Sequence, residues 1–395
     1  GNVTLTGGHV GLFDDTLIDA SGASGGGSVL VGGDLQGKNP DIANAQATYV
    51  AENAVIRADA LEAGQGGKVI IWADGLTRFL GQASARGGAQ GGDGGFVEVS
   101  GKGVLDFRGQ VDLLAPLGHA GTLLLDPYDL TISASGSDTN VNAGTPFDAT
   151  GTGSILTVNT LQNALSSGNV TVTTGSSGAE AGDITVADGI GWFSTYNLTL
   201  SANRNINLNA DISAFKGSLT LTAGTGGVSG AITLANDMSI NLLQGSVTAS
   251  AIGDITQAAV SGGTKQRYFD IAGTSSFSSS AGSVILGAAD NKFTGAVSLA
   301  SGGAGSIAVT NGQALVLGAL AGSGSGGVSL GASGNITGTT LVSAGSVTLA
   351  TTPGSNGSIN LSGAFSASGS VSLSADGSGG IAIPQITGNV TLVSV

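Results

Sequence analysis

A short strand phrase, Gly-x-Val-x-Val/Leu with close variants, recurs from end to end of this chain and constrains its fold more than any other feature. It reads Gly27-Ser-Val-Leu-Val, Gly67-Lys-Val-Ile-Ile, Gly95-Phe-Val-Glu-Val and Gly121-Thr-Leu-Leu-Leu. It returns as Gly217-Ser-Leu-Thr-Leu, Gly295-Ala-Val-Ser-Leu, Gly327-Val-Ser-Leu, Gly345-Ser-Val-Thr-Leu and Gly369-Ser-Val-Ser-Leu. Each copy is a period-2 strand bounded by a turn residue. Within the runs 27–121 and 295–369, successive copies lie roughly 18 to 40 residues apart, in the range of solenoid repeats. One strand cannot bury its apolar face alone, but stacked copies build a continuous core. The phrase therefore predicts an all-β parallel solenoid. At ~22 residues per coil and ~4.8 Å per strand step, about 18 coils would span roughly 85 Å.

Composition agrees. Glycine supplies 71 of 395 residues, without the three-residue period of collagen. Hydrophobic residues are 41% and alternate within strands, which argues against disorder. The glycines stand before the strands, where we expect coils to turn and φ to be positive. The net charge of −14 argues against nucleic acid and anionic membrane as partners. There is no cysteine, hence no disulfide framework and no zinc–thiolate site, which is compatible with export. No apolar run reaches the about 18 residues of a membrane-spanning helix. No signal peptide is visible. The chain starts and stops mid-repeat, as a piece of a longer protein would.

Three regions are expected. Residues 1–130 carry long coils and many larger side chains, among them Tyr49, Trp72, Phe79, Phe96, Phe107 and Tyr128. Residues 131–216 form a transition, with a loop from Ser133 to Gly153. A short helix near 160–167 follows, capped by Asn159 or Thr160, with Leu161 and Leu165 on one face and Gly168 ending it. Trp192, Phe193 and Tyr196 suggest an aromatic cluster. Residues 217–395 read as thin, regular solenoid. In the strand phrase, the residue between the two inward ones should face outward. It is Ser298, Ser329, Thr348 and Ser372 late in the chain, but Leu30, Ile70 and Leu124 early, with Glu98 as the exception. Apolar residues in one outward column predict a covering segment, for which 34–55 is the prime candidate.

The phrases Gly26-Gly-Ser-Val-Leu-Val-Gly-Gly-Asp34, Asn39-Pro40, Thr48-Tyr-Val50 and Ile71-Trp-Ala-Asp74 lead on to Ala85-Arg-Gly-Gly88, Gly91-Gly-Asp-Gly-Gly-Phe-Val-Glu-Val99 and Gly121-Thr-Leu-Leu-Leu-Asp-Pro127. With Asn169-Val-Thr-Val, Gly182-Asp-Ile-Thr-Val and Asn197-Leu-Thr-Leu, they make the chain resemble filamentous-haemagglutinin-like exoproteins of the two-partner secretion pathway of Gram-negative bacteria. The resemblance is specific over about residues 20 to 225 and compositional beyond. It implies a right-handed parallel β-helix, secretion through an outer-membrane β-barrel partner, and work as an adhesin or biofilm-matrix scaffold at the cell surface. The family's amino-terminal secretion domain, which binds that transporter, is not visible in these residues.

No catalytic, cofactor or metal residue is assigned from the sequence, and ligand-binding residues stay unknown. Gly32–Asn39 nearly matches a phosphate-binding loop, but Asn39 stands where Ser/Thr should ligate magnesium, and Pro40 with a polar run follows instead of an amphipathic helix. Gly91–Phe96 resembles a calcium-binding β-roll turn in a single copy, whereas such sites need tandem copies. Asp34, Asp74 and Asp126 follow strands and could stack, as a weak cation site or simply as turn formers. His9 and His119 stand isolated and read as surface or turn residues. The acidic residues are scattered, and Asp14-Asp15, the only adjacent pair, would point to opposite faces of a strand. Asn2, Asn169, Asn197, Asn335, Asn356, Asn360 and Asn389 read as corner residues bonding coil to coil. The leading reading is a structural adhesin or matrix scaffold without enzymatic activity, with extracellular polysaccharide or a cell-surface receptor as partner. The alternatives are a polysaccharide-cleaving β-helix enzyme, recognisable by a carboxylate cluster on one wall, and a passive stalk for binding regions elsewhere.

Overall fold

Three short strands make one coil. In the computed structural model, β1 (Asn2–Leu5), β2 (His9–Leu12) and β3 (Leu17–Asp19) form the first coil. The second is β4 (Ser28–Val31), β5 (Ala47–Val50) and β6 (Val55–Arg57). The third is β7 (Lys68–Ala73), β8 (Leu76–Phe79) and β9 (Gln82–Ser84); the fourth is β10 (Phe96–Gly101), β11 (Val104–Phe107) and β12 (Gln110–Asp112). Each strand pairs in parallel with its counterpart one coil on, giving three walls. The structure describes all residues except 127–128, 136–153, 175–180, 236, 259–267, 323–325, 340, 344, 364, 377–379, 384 and 395. Tyr128 and most of the expected 133–153 loop thus lie outside the described residues. Two compact units result, Gly1–Asn203 and Arg204–Val395.

The inward pairs stack in register as expected. Val29 lies opposite Val69, Val69 opposite Val97, and Val97 opposite Leu123. These residues and their partners Val31, Ile71, Val99 and Leu125 are all buried, as are Leu219/Leu221, Val297/Leu299, Val347/Leu349 and Val371/Leu373. On the second wall Phe79 stacks on Phe107, ring centroids 5.5 Å apart.

The glycine preceding each strand has a different cause from the one expected. Gly27, Gly67, Gly95 and Gly121 do not have positive φ. Instead, a Cβ on Gly67, Gly95 or Gly121 would overlap the carbonyl oxygen of the corresponding glycine one coil earlier, and one on Gly27 would overlap the carbonyl of Gly1. Close approach of stacked backbones, not a left-handed turn, demands glycine here. Gly217, Gly245, Gly273 and Gly295 form the same ladder in the second unit.

The coil after β12 departs from the pattern. β13 (Thr122–Leu125) joins the first wall, but β14 (Leu130–Ser133) leaves a vacant place beside β11. β15 (Ser154–Thr157) comes back to fill it, pairing Ile155 with Asp106 of β11 on one side and with Thr131 of β14 on the other. α1 (Val158–Ser167) follows and packs between β12 and β18 (Ile190–Trp192), taking the place of a third-wall strand. Ser167 Oγ donates to the Val111 carbonyl at 2.6 Å, and Gln162 Nε2 to the Gly191 carbonyl at 2.7 Å. Leu161 and Leu165 are buried as expected and Gly168 ends the helix. The cap is Thr157 rather than Asn159 or Thr160; its hydroxyl accepts from the Thr160 amide at 3.2 Å. β16 (Asn169–Thr173), β17 (Ile184–Val186) and β19 (Leu198–Ala202) complete the unit. The expected aromatic cluster does not form. Trp192 is buried, with Nε1 donating to the Tyr196 carbonyl at 2.8 Å, whereas Phe193 is 86% exposed.

The second unit repeats the design with smaller side chains. Its first wall runs Leu219–Ala223, Val247–Ala251, Ser275–Ser279 and Val297–Ser301, in continuous parallel register. Phe269, Phe277 and Phe293 fill its core with rings 5.3 to 5.7 Å apart. Corner residues in both units accept from the amide one coil on: Asn169 from Asn197, Asn205 from Ala231, Asp254 from Ser283, Asn335 from Ser358. The expected role of asparagine holds for Asn169 and Asn335, and Ser218 and Ser246 share it, accepting from Ser246 and Thr274. These bonds satisfy donors at corners where the strand ladder is interrupted. Among the described residues no helix is long and apolar enough to cross a membrane.

Candidate functional site

Among the described residues of the first unit, two places concentrate side-chain chemistry. The first is the outward column of the first wall. Leu30, Ile70 and Glu98 are buried and Leu124 is half-buried, although all four point away from the coil interior. The cover is the insertion between β4 and β5, as the apolar column predicts, and residues 34–44 make it. Leu30, Ile70 and Trp72 form one cluster with Ile42 and Phe96 packed on its edge. Gly37, with φ +59, lies against the indole of Trp72, where a Cβ has no room.

Polar bonds hold this strap down. Asp34 accepts from the Leu35 amide and from Asn39 Nδ2, both at 2.8 Å, and from Lys68 Nζ at 3.1 Å. Gln36 has φ 52, an unusual value for a residue with a Cβ. That conformation points its amide at Glu98, donating to both carboxylate oxygens at 3.1 Å, while Gln36 Nε2 donates to Asp126 Oδ2 at 2.9 Å. Asn44 Nδ2 bridges the Gly37 carbonyl (2.9 Å) and Asp74 Oδ1 (3.2 Å), and Trp72 Nε1 also donates to Asp74.

Electrostatics follow from these partners. Burial pushes the Glu98 carboxyl up to about 7, against the pull of the Gln36 amide and Ser100, with Asp126 and Asp34 adding repulsion. Asp34 is held below the usual range, first by Asn39 and then by Leu35 and Lys68. A raised carboxyl suits general-acid chemistry. Here both oxygens are engaged by the strap, and the residue is wholly enclosed.

The expected stack of Asp34, Asp74 and Asp126 is divided among different donors: Lys68 and Asn39, Trp72 and Asn44, and Gln36. Among the described residues, no group of three or more His, Asp or Glu could hold a metal ion. The phosphate-loop look-alike is a three-residue 3-10 turn, Leu35–Gly37, with Lys38 Nζ bonded to Gln36 Oε1 at 2.9 Å. Asp93, in the glycine-rich turn 91–96, acts as a corner residue, accepting from the His119 amide at 2.8 Å and facing His119 Nδ1 at 3.3 Å. These bonds hold its carboxyl below the usual range. His9 lies exposed on β2, and His119 is exposed at its corner.

The second place is a groove of about 480 Å³ on the third wall, across β3, β6, β9 and β12. Parallel register aligns Asp19, Arg57, Ser84 and Asp112 in one row and Val55, Gln82 and Gln110 in another. In the turns that follow, Asp59 accepts from Ser84 Oγ at 2.9 Å and from the Arg86 amide at 2.8 Å, and Arg86 Nη1 lies 3.4 Å from Asp112. The Asp19 carboxyl is held low by Ser21, then by Arg57. α1 takes the next place beyond β12. Sequence reasoning did not find this wall. Its strands are three-residue pieces, Leu-Ile-Asp, Val-Ile-Arg, Gln-Ala-Ser and Gln-Val-Asp, too short for periodicity. The available signal was their recurrence a few residues after the end of each second-wall strand. A larger hollow, about 710 Å³, follows the glycine corner, but chiefly backbone and small residues line it. No protein-family model matches the chain, and neither does any curated protein.

Proposed function

We propose that this chain is part of a secreted structural adhesin or matrix scaffold of a Gram-negative cell surface, delivered by an outer-membrane β-barrel transporter and engaging extracellular polysaccharide. The observation that carries the reading is the uniformity of the second unit. Coil after coil repeats one formula: mainly aliphatic residues inward, with Ser275, Phe277 and Ser279 replacing them on one strand, Ser or Thr outward, and an acceptor at the corner for the next coil's amide. Such residues serve extension, since each coil needs only its neighbours to complete its core. The carboxylates support a non-enzymatic role. Among the described residues the one raised well above its usual range, Glu98, is closed under the strap, and those of the groove are engaged by Ser21, Ser84 and Arg86.

The test is retention. Beads carrying residues 1–395 should be held by an exopolysaccharide matrix above the level of beads carrying an inert protein of similar charge. The same preparation should release no reducing ends or unsaturated sugars. Retention equal to the inert control would overturn the adhesin reading. So would turnover abolished by changing one carboxylate.

A further inference from the structure

The third-wall groove has a composition that selects its ligand. Asp19, Asp59 and Asp112 stand against Arg57 and Arg86, so acids outnumber bases and the charges nearly balance. Nucleic acid and other polyanions need a basic footprint, which this surface lacks. Protein partners are anchored by aromatic or methionine side chains in desolvated pockets. The lining offers only small or aliphatic apolar groups such as Val55 and Leu61. What it presents in quantity is planar hydrogen-bonding groups: carboxylates, guanidinium groups and the amides of Gln82 and Gln110. Forked acceptors and donors of this kind match paired hydroxyls on adjacent carbons. They also repeat with the strands, since Gln82 lies opposite Gln110, and Ser84 lies opposite both Arg57 and Asp112. The strand step of ~4.8 Å is comparable to the length of one pyranose unit.

We propose that this groove binds a linear, uncharged polysaccharide laid across the strands, with successive sugar units meeting successive coils from β3 to β12. The proposal rests on the scaffold reading and names the site through which the matrix is held. No aromatic side chain stands among the described residues lining the groove, so affinity comes from many weak polar contacts and is modest for a single chain. Arg57 beside Asp19 and Arg86 beside Asp112 partly pair the charges of the groove. Gln82 and Gln110 supply the neutral amide contacts on the last two of these coils.

The experiment is native electrophoresis of the 395-residue chain through gels containing hydroxyethyl cellulose, galactomannan or alginate. Retardation by at least one of the two neutral polymers, and not by alginate, is expected. The double variant Gln82→Ala/Gln110→Ala should lose about tenfold in apparent affinity, the scale of two neutral hydrogen bonds. Ser298→Ala, on the second unit, should migrate as the parent does. Thermal unfolding reports whether each variant is folded. If the double variant is not, Gln110→Glu replaces it, with the same loss expected from a further charge beside Asp112. Three results would overturn the proposal: no retardation by either neutral polymer, retardation undiminished in a folded groove variant, or alginate acting as strongly as the neutral polymers. If bead retention persists in a groove variant, the groove assignment falls while the scaffold reading stands. If the parent chain is not retained at all, the scaffold reading falls with it.

Discussion

The two units share an inward design and differ in what lies outside it. In Gly1–Asn203 the outward column Leu30, Ile70 and Glu98 is closed by residues 34–44. In Arg204–Val395 the equivalent column, Ser329, Thr348 and Ser372, runs in register and is exposed. The same aliphatic ladder supports both. A wall acquires a second layer only where outward residues become apolar and an insertion is long enough to return over them. The coil interior therefore specifies stacking, while the outward column specifies what stacks on the coil.

A charge placed in each column separates the two walls most strongly. Ile70→Asp puts a carboxylate beside Leu30 and Trp72 and should destabilise the first unit by about 4 kcal/mol or more. Thr348→Asp, on an open wall, should stay within about 0.5 kcal/mol. Equal shifts in thermal unfolding would mean that the strap does not pack on the wall.

The next test uses pH. Glu98 titrates at about 7 in the fold, against 4.5 for an unperturbed glutamate, so the folded chain binds a proton that the unfolded chain has released. Stability should then fall as pH rises from about 4.5 to about 7, by about 3 kcal/mol in total. Asp34 is shifted the other way, and its contribution is lost only as pH falls below the usual carboxylate range, outside this window. Glu98→Gln keeps an acceptor for the Gln36 amide and should remove the slope between about pH 4.5 and about pH 7. A slope that survives the substitution, measured by denaturant midpoints, would refute the assignment to Glu98.

Smaller effects are expected at the corners and at the helix cap. Gly95→Ala should cost about 2 kcal/mol, because its Cβ meets the rigid carbonyl of Gly67. Gly331→Ala, whose nearest neighbour is the side chain of Thr310 at 3.7 Å, should be near neutral, and similar melting of the two variants would dissolve the close-approach argument. Thr157→Ala should cost about 1 kcal/mol by removing the cap of α1, read as a lowered unfolding midpoint.

What could be read from the sequence was whatever repeats locally. Val29/Val31 and their counterparts were legible because alternation over five residues suffices to orient a strand. The strap was legible because Leu30 and Ile70 broke the polar rule of their own column. Glu98 looked like the exception in that column, since its partner, the Gln36 amide, lies 62 residues away in sequence. The return of β15 to fill the place beside β11 carries no local mark, because Ser154–Thr157 would fit several positions equally well. The groove escaped for a related reason. Its residues are ordinary turn and strand-end types, and only the register of four separate coils brings Asp19, Arg57, Ser84 and Asp112 into line.

The glycine corner has a mechanical consequence. With bare backbone facing bare backbone at Gly27, Gly67, Gly95 and Gly121, one edge of the coil stack is as thin as a polypeptide allows. A methyl group inserted there acts as a wedge at one corner while the other two keep their pitch, so the local axis must tilt away from the wedge. Single alanines along this ladder would then act as set screws for curvature. A lineage could bend or straighten such a stack without touching its core, one corner residue at a time.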